Sequence, residues 1–234
     1  MGKDELFNWY ETKQMKELLP NSKPYDYSKT GIEPNSRILC CGTTGSGKTQ
    51  ALLHYIRLSP KLFSRIIVFY KESEKMYELL QVAMKGNVEF HNDLAELPKL
   101  KDLRKDMDDE ERILLVLDDW MMELCSKQYK SVIPDYFIYG RKKGITMFLL
   151  CQSYFVVPKT LRNQMTYLIL FEMISKRDIN LIISDFDNKR KELLGIYKEI
   201  IKTPLNFMKI EVRTNKKVPK ISEGFTDYID FNYD

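Results

Sequence analysis

The segment Gly42–Thr49 constrains the fold of this chain more than any other part of its sequence. It reads GTTGSGKT and fits the pattern GxxxxGK[ST], in which glycines let backbone N–H groups converge on phosphate oxygens. The apolar run RILCC precedes the segment, and a helical pattern begins at Thr49. Because a strand, a tight loop and a helix N-terminus together bind phosphate, the segment predicts a phosphate-binding loop in an α/β domain.

Each position of this loop has an expected role in binding ATP. Lys48 is expected to reach the β- and γ-phosphates, and the hydroxyl of Thr49 is expected to ligate Mg²⁺. The predicted ATP-binding residues are Gly42, Thr43, Thr44, Gly45, Ser46, Gly47, Lys48, Thr49 and Gln50.

Short apolar runs alternate with helical periods along the rest of the chain. After RILCC come RIIVFY, VEF, ILLVLD, ITMFLLC and YLILF, with helical patterns between several of them. This alternation predicts βαβ units and a parallel sheet. The runs lack polar residues at every second position, as expected for strands covered on both faces. The sequence therefore predicts an α/β fold with a mostly parallel central sheet sandwiched by helices.

Two carboxylates follow one of the predicted strands. Asp118 and Asp119 come directly after the apolar run Ile113–Leu117. Ligands of open α/β sheets bind at the carboxyl ends of the strands. We expect Asp118 to hold Mg²⁺ through water and Asp119 to polarise the water that attacks the γ-phosphate. The alternative is that both acids only cap a helix that begins at Trp120.

Two more candidate residues flank the run Ile145–Cys151. Gln152 follows it, and its amide can contact both γ-phosphate and water if this strand lies between the loop strand and the acidic strand. Arg141 precedes it in a basic cluster and is a candidate arginine finger for a neighbouring subunit, with Arg162 and Arg177 as reserve candidates. Basic residues also favour helix C-termini, and polar residues also end strands, so both retain a purely structural alternative.

Composition and length support a folded domain without a membrane segment. The 234 residues are 44% hydrophobic and 30% charged, which is typical of globular proteins, and the net charge of +4 is too small to indicate a polyanion partner by itself. The longest apolar runs have five residues, whereas a membrane-spanning helix needs about 20. We divide the chain into an N-terminal arm (1–36), an ATPase core (37–212) and a C-terminal tail (213–234).

Charge is unevenly distributed near the end of the chain. Residues 187–220 hold ten basic and four acidic residues, whereas residues 221–234 hold four acidic residues and no basic one. One interpretation is a basic strip that faces a polyanion and is covered by an acidic tail. The other is a solvated helix face followed by a frayed terminus.

The chain resembles the genome-packaging ATPases of the HerA–FtsK type found in large eukaryotic DNA viruses and virophages. The resemblance covers about Arg37 to Val212 and lies in RILCCGTTGSGKTQALLHYI, RIIVFYKESEKMYELL, ILLVLDD, GRKKGITMFLLCQSYFVVPKTLRNQMTYLILF and PLNFMKIEV. It implies a RecA/HerA-like P-loop fold with ATP and Mg²⁺ as cofactors. It also implies that Asp118 and Asp119 form the acidic pair, that Gln152 is the sensor, and that Arg141 is the basic residue before the sensor strand.

The resemblance further implies a function and its partners. It implies an ATP hydrolase that moves double-stranded DNA into a preformed capsid. It implies a homo-oligomeric ring, expected to be a hexamer, that contacts the capsid or its portal vertex and has no membrane partner. The expected location is intracellular, in the host cytoplasm or a viral factory, or on the virion.

Three other classes of P-loop protein fit this sequence less well. A small nucleoside or nucleotide kinase fits the chain length, but it needs an Arg-rich lid, whereas the bases after Asp187 are spread along a helical period. A GTPase needs the run Asn-Lys-x-Asp, and residues 215–218 read NKKV. A scaffold that does not hydrolyse ATP has no need of an intact Lys48 and acidic pair. The sequence favours the DNA motor, with the kinase as the alternative.

Overall fold

A nine-stranded sheet organises the described part of the chain in the computed structural model. The structure describes residues 12, 13, 15, 25–84, 86–103, 105, 107, 108, 110–124, 126, 129, 132–184, 190–212 and 220–230. The strands are β1 (Arg37–Cys41), β2 (Arg65–Tyr70), β3 (Val88–His91), β4 (Ile113–Asp118), β5 (Ile145–Cys151), β6 (Tyr167–Leu170), β7 (Met208–Glu211), β8 (Lys220–Glu223) and β9 (Asp227–Ile229).

Helices connect these strands. The α-helices are α1 (Lys48–Leu58), α2 (Lys75–Met84), α3 (Leu100–Leu103), α4 (Met121–Leu124), α5 (Val132–Tyr139), α6 (Lys159–Arg162), α7 (Lys176–Ser184) and α8 (Arg190–Ile200). Two 3₁₀ turns span Leu94–Glu96 and Gly140–Lys143. Within these described ranges, no helix has both the length and the apolar character needed to cross a membrane.

The strand order confirms the predicted, mostly parallel sheet. The order is β3-β2-β4-β5-β1-β6-β7-β8-β9. The strands from β3 to β6 in this order pair in parallel, and β7, β8 and β9 are antiparallel to their neighbours. Because β5 lies between β4 and β1, the position that we expected for the strand before Gln152 is confirmed.

Two apolar layers, one on each face, cover the sheet. Successive residues of a strand point to opposite faces, so Phe148 and Leu149 of β5 belong to different hydrophobic clusters. On one face Tyr55 of α1 and Tyr77 of α2 join the cluster of Phe148. On the other face, residues from α5, α7 and α8, such as Tyr136, join the cluster of Leu149. This double cover explains the continuous apolar runs and confirms the predicted sandwich.

The sheet continues beyond residue 212, the predicted end of the ATPase core. β8 and β9 fall within the predicted tail, 213–234, and pair with β7 and with each other. They read KISE and DYI, which is too short and too polar to predict a strand from sequence. Most of the predicted arm, 1–36, and residues 213–219 and 231–234 of the predicted tail lie outside the described residues.

A buried lysine of β7 joins the segment before β1 to the last strand, β9. Lys209 of β7 is fully buried, and its Nζ donates to the carbonyl oxygen of Thr30 (3.1 Å) and to the hydroxyl oxygen of Tyr228 (3.4 Å). Burial lowers the pKa of Lys209 to about 8. The predicted basic strip included this residue, and that part of the prediction is wrong because Lys209 faces the core. Lys202, another member, is ion-paired with Glu199 (2.7 Å).

Candidate functional site

The carboxyl ends of β1, β4 and β5 bring three predicted site segments together. We call this side of the sheet the carboxyl edge. The loop Gly42–Thr49 follows β1, Asp118 ends β4 and is followed by Asp119, and Gln152 follows β5. β5 pairs in parallel with both β1 and β4, so the three strand ends are adjacent. The site therefore assembles from residues that are more than 100 positions apart.

The loop backbone has a shape that glycine alone accommodates well. Gly45 and Gly47 have φ values of +76° and +110°, which are left-handed conformations that L side chains rarely adopt. A Cβ at Gly42 would lie 2.5 Å from Ser46 Oγ and 2.6 Å from Phe171 Cβ. The close contacts at Gly42 and the φ of Gly47 explain why the pattern needs glycine at these two positions.

The loop and the start of α1 fit a triphosphate. The residue before α1, Gly47, gives no side-chain cap, and the first turn of the helix contains no acidic residue, so its N–H groups are open to an anion. Lys48 Nζ donates to the carbonyl oxygens of Gly42 (3.0 Å) and Thr43 (2.9 Å), which places the ammonium group over the loop. Ser46 Oγ is buried and has no hydrogen-bond partner among the described residues, as expected for a group that a ligand satisfies.

Oxygen donors that suit Mg²⁺ lie beside the loop. Thr49 is in the first turn of α1, and Asp118 is the last residue of β4. Across the described ranges, no cluster of three or more His, Cys, Asp or Glu side chains could hold a metal ion by itself. Mg²⁺ commonly binds through one or two protein groups together with water and phosphate oxygens, so the donor set fits Mg²⁺ bound with a nucleotide.

Asp118 is a largely buried carboxylate with a specific donor. The hydroxyl of Tyr77 donates to Asp118 Oδ2 at 2.5 Å. Burial raises the pKa of Asp118 to about 6, opposed by the hydrogen bond from Tyr77; the charges of Asp119 and Glu74 raise it further, and Lys48 lowers it. The carboxylate is therefore ionised above about pH 6 and is available to a cation at neutral pH.

Asp119 and Gln152 form a hydrogen-bonded pair at the same edge. Gln152 Nε2 donates to Asp119 Oδ2 at 2.6 Å. Asp119 has a φ of +61°, a left-handed conformation that is uncommon outside glycine but is tolerated by Asp and Asn. Its N–H donates to the carbonyl oxygen of Leu150 (3.2 Å), which holds this turn against β5. The predicted sensor and the predicted water-polarising acid are thus in direct contact.

Arg141 lies at the opposite side of the sheet, which we call the amino edge. It is exposed and belongs to the 3₁₀ turn Gly140–Lys143, directly before β5. The seven residues of β5 separate Arg141 from Gln152, a span of about 23 Å at about 3.3 Å per residue. Arg141 therefore does not reach the loop of its own subunit.

The reserve candidates stack on aromatic rings of their own chain. The Cζ atom of Arg162 lies 4.9 Å from the ring centroid of Tyr154. The Cζ atom of Arg177 lies 3.6 Å from the ring centroid of Phe155, and Arg177 is exposed. These contacts occupy one face of each guanidinium group.

Two features of the structure, one at each edge of the sheet, were not predicted from the sequence. The first is Tyr77, which reads as an ordinary core residue of an amphipathic helix. The second is a groove of about 500 Å³ beside the turn Gly140–Lys143. Four lysines, which we call the basic rim, surround it: Lys99, Lys101, Lys142 and Lys143. The other lining residues are Leu100, Val132, Asp135 and Tyr139.

Solved structures of viral and bacterial ATPases share this fold. The genome packaging NTPase B204 from Sulfolobus turreted icosahedral virus 2, in complex with sulfate, is 19% identical with a TM-score of 0.60, covering 81% of this chain and 96% of that chain. The DNA-packaging ATPase B204 from Sulfolobus turreted icosahedral virus is 17% identical with a TM-score of 0.57, and the match covers 81% of this chain and 98% of that chain. The cytoplasmic domain of the type VII secretion ATPase EccC from Thermomonospora curvata is 16% identical with a TM-score of 0.51, covering 85% and 26%.

These similarities confirm the predicted P-loop ATPase fold. A search of curated proteins finds no match. The family described as Poxvirus A32 protein matches residues 25–226, which include every candidate residue discussed above. This match confirms the resemblance to viral genome-packaging ATPases that the sequence motifs indicated. The chain belongs to the Poxvirus A32 protein family.

Proposed function

We propose that this chain is the ATPase of a viral genome-packaging motor, which hydrolyses ATP to move double-stranded DNA into a preformed capsid. The observation that carries the proposal is the convergence of the open phosphate loop with Asp118, Asp119 and Gln152 at the carboxyl edge. Membership of the Poxvirus A32 protein family and the fold shared with the B204 packaging ATPases support it.

The residues of the carboxyl edge divide the work of hydrolysis. The loop N–H groups and Lys48 bind the phosphates and stabilise the charge that develops on the γ-phosphate. Thr49 and Asp118 would hold Mg²⁺, Asp118 through water, and the bound ion would supply positive charge that offsets the negative charge of the phosphates. These groups position ATP with its γ-phosphorus next to the acidic pair.

Asp119 and Gln152 act on the attacking water. Asp119 orients the water and accepts its proton as the water oxygen bonds to the γ-phosphorus. The bond from the γ-phosphorus to its bridging oxygen breaks, and ADP and phosphate leave. The amide of Gln152 fixes the Asp119 carboxylate through the 2.6 Å hydrogen bond. A base that is already oriented for water favours hydrolysis over transfer to a nucleoside acceptor.

The basic rim is the proposed contact surface for DNA. No ion pair involves any of its four lysines in the described part of the chain. The groove also contains Tyr139, which is 53% exposed, and a single acidic residue, Asp135. Lysines without ion pairs around a groove can each bind a phosphate of a nucleic-acid backbone, with release of counterions.

The position of Arg141 supports the proposal of a ring of subunits. Since Arg141 cannot reach its own nucleotide, its role as an arginine finger requires the P-loop of a neighbouring subunit. We propose a homo-oligomeric ring, with a hexamer expected, that docks on the capsid or its portal vertex. The proposed location is intracellular, in the host cytoplasm or a viral factory, or on the virion.

One experiment separates the motor from the kinase. ATP turnover of the purified chain is measured with and without long double-stranded DNA and with a panel of nucleosides and nucleotides, and particle mass is measured in the same samples. Stimulation by DNA in a ring-sized particle is the expected result. Transfer of phosphate to a small acceptor by a monomer or dimer would replace the motor with a kinase.

A further inference from the structure

Tyr77 of α2 contacts the end of β4, although α2 follows β2 in the chain. It lies in the first turn of α2, the helix after β2, and its hydroxyl donates to Asp118 Oδ2 at the end of β4. β2 and β4 are neighbours, and Tyr70 of β2 is in register with Asp118. The crossover between β2 and β3 therefore supplies a donor to the carboxylate on which the proposed metal site depends.

The position of this hydroxyl is fixed by packing. Tyr77 is 2% exposed. Its ring centroid lies 5.8 Å from that of Tyr70 of β2 and 5.7 Å from that of Phe90 of β3, and these two centroids are 6.2 Å apart, so the three rings form one cluster. A buried ring held in this way has little rotamer freedom. Its hydroxyl is thus a rigid donor, unlike a water molecule or an exposed side chain.

We propose that Tyr77 is the positioning residue for Asp118: it engages one carboxylate oxygen, Oδ2, and so orients the other, Oδ1, for a water ligand of the metal. The inference rests on the proposed function, because it assumes that Asp118 serves a nucleotide-bound Mg²⁺. Partners that orient a metal-binding carboxylate typically change metal affinity or activity by about 10- to 100-fold when they are removed. A core tyrosine that only fills space would have no such effect.

The test compares nucleotide binding with and without the metal. Equilibrium binding of a fluorescent ATP analogue is measured for the parent and for Tyr77→Phe, in Mg²⁺ and in EDTA. We expect the affinity of Tyr77→Phe in Mg²⁺ to fall about 10-fold and its affinity in EDTA to match that of the parent. This readout is independent of turnover, and thermal unfolding without nucleotide shows that the variant is folded.

Tyr136→Phe is the matched control. Tyr136 is also fully buried, and its hydroxyl donates to the carbonyl oxygen of Pro98 at 2.6 Å, away from the acidic pair. Both variants lose one buried hydroxyl and one hydrogen bond, and Tyr77→Phe should lose more stability because its hydrogen bond is to a carboxylate. Only Tyr77→Phe should change the Mg²⁺ dependence of binding.

A double variant tests whether Tyr77 acts through Asp118. If it does, Tyr77→Phe should cause no further loss in Mg²⁺-dependent affinity once Asp118→Asn is present. Parent-like Mg²⁺ dependence in Tyr77→Phe, or an equal loss in both backgrounds, would overturn the positioning role alone. A parent that binds nucleotide without any Mg²⁺ dependence would overturn the proposed ATPase mechanism as well.

Discussion

The two edges of the sheet hold their polar side chains in different ways. At the carboxyl edge, Lys48 donates to loop carbonyls, Asp118 accepts from Tyr77, and Asp119 accepts from Gln152. At the amino edge, Arg141 and the basic rim are without ion pairs within the described ranges, and Arg141 is exposed. Chemistry requires groups that are oriented before the substrate arrives, whereas a large, moving partner requires groups that adapt.

This comparison predicts the largest effect for Lys48. In the proposed mechanism, Lys48→Ala removes the ammonium group that stabilises charge on the γ-phosphate, so we expect ATP turnover to fall by at least about 10³-fold. The side chain lies over a surface loop, so the fold should persist. Turnover and circular dichroism measured on one sample check both statements, and undiminished turnover in the folded variant would contradict the site.

Arg141 should show a comparable effect that depends on neighbouring subunits. We expect Arg141→Ala to lower DNA-stimulated turnover by about 10³-fold, the lower end for loss of an arginine finger, while ATP binding stays intact.

Mixing variants tests whether the residue acts between subunits. In a ring mixed from Lys48→Ala subunits and Arg141→Ala subunits, some interfaces pair the intact loop of an Arg141→Ala subunit with the intact arginine of a Lys48→Ala subunit. ATP turnover should therefore reappear on mixing. If Arg141→Ala alone hydrolyses normally, Arg162 and Arg177 become the candidates. If mixing restores nothing, the finger does not act in trans.

The basic rim should affect DNA binding more moderately. Lys142→Glu with Lys143→Glu should weaken DNA affinity and reduce the slope of log affinity against log salt by about 0.9 for each DNA phosphate that is no longer neutralised. Lys198→Glu on α8 is the control for Lys142→Glu alone, because it makes the same change in charge at an exposed lysine of the basic strip. A larger loss of affinity for Lys198→Glu would place DNA on α8 instead of at the groove.

The smallest expected effect is on stability, and it has the opposite sign to the effect on activity. The pKa of Asp118 rises from 3.8 in the unfolded chain to about 6 in the folded chain. The free energy of unfolding of the parent therefore decreases as the pH rises from about 4 to 6, and the decrease is complete above pH 6. Asp118→Asn should therefore raise the free energy of unfolding at pH 7 by up to about 3 kcal/mol while abolishing turnover.

Denaturant unfolding at two pH values checks this prediction. The stability difference between Asp118→Asn and the parent should shrink below pH 4, where the parent carboxyl is protonated in both states. A difference that is the same at pH 4 and pH 7 would mean that the ionised carboxylate does not destabilise the fold.

Sequence alone predicted the carboxyl edge well because of how parallel sheets are built. Gly42–Thr49, Asp118 and Gln152 each follow an apolar run, and the ends of parallel strands meet at one edge. Tyr77 could not be found in this way, because its contact with Asp118 depends on which strand lies beside β2. The burial of Lys209 was equally hidden, since a lysine within a polar strand usually faces solvent.

The hydrogen bonds of Lys209 join residues on both sides of the segment 37–212 that the sequence motifs mark as the core. The packed sheet is therefore longer than that segment. Ending the chain at residue 212 would delete β8 and β9, together with the Tyr228 hydroxyl that accepts from Lys209, and would leave β7 as an unpaired edge. A fragment chosen by its motifs would thus keep every predicted site residue and lose two strands of the sheet. Any minimal version of this protein should retain residues Thr30 to Asp230, so that Lys209 keeps both of its hydrogen-bond acceptors.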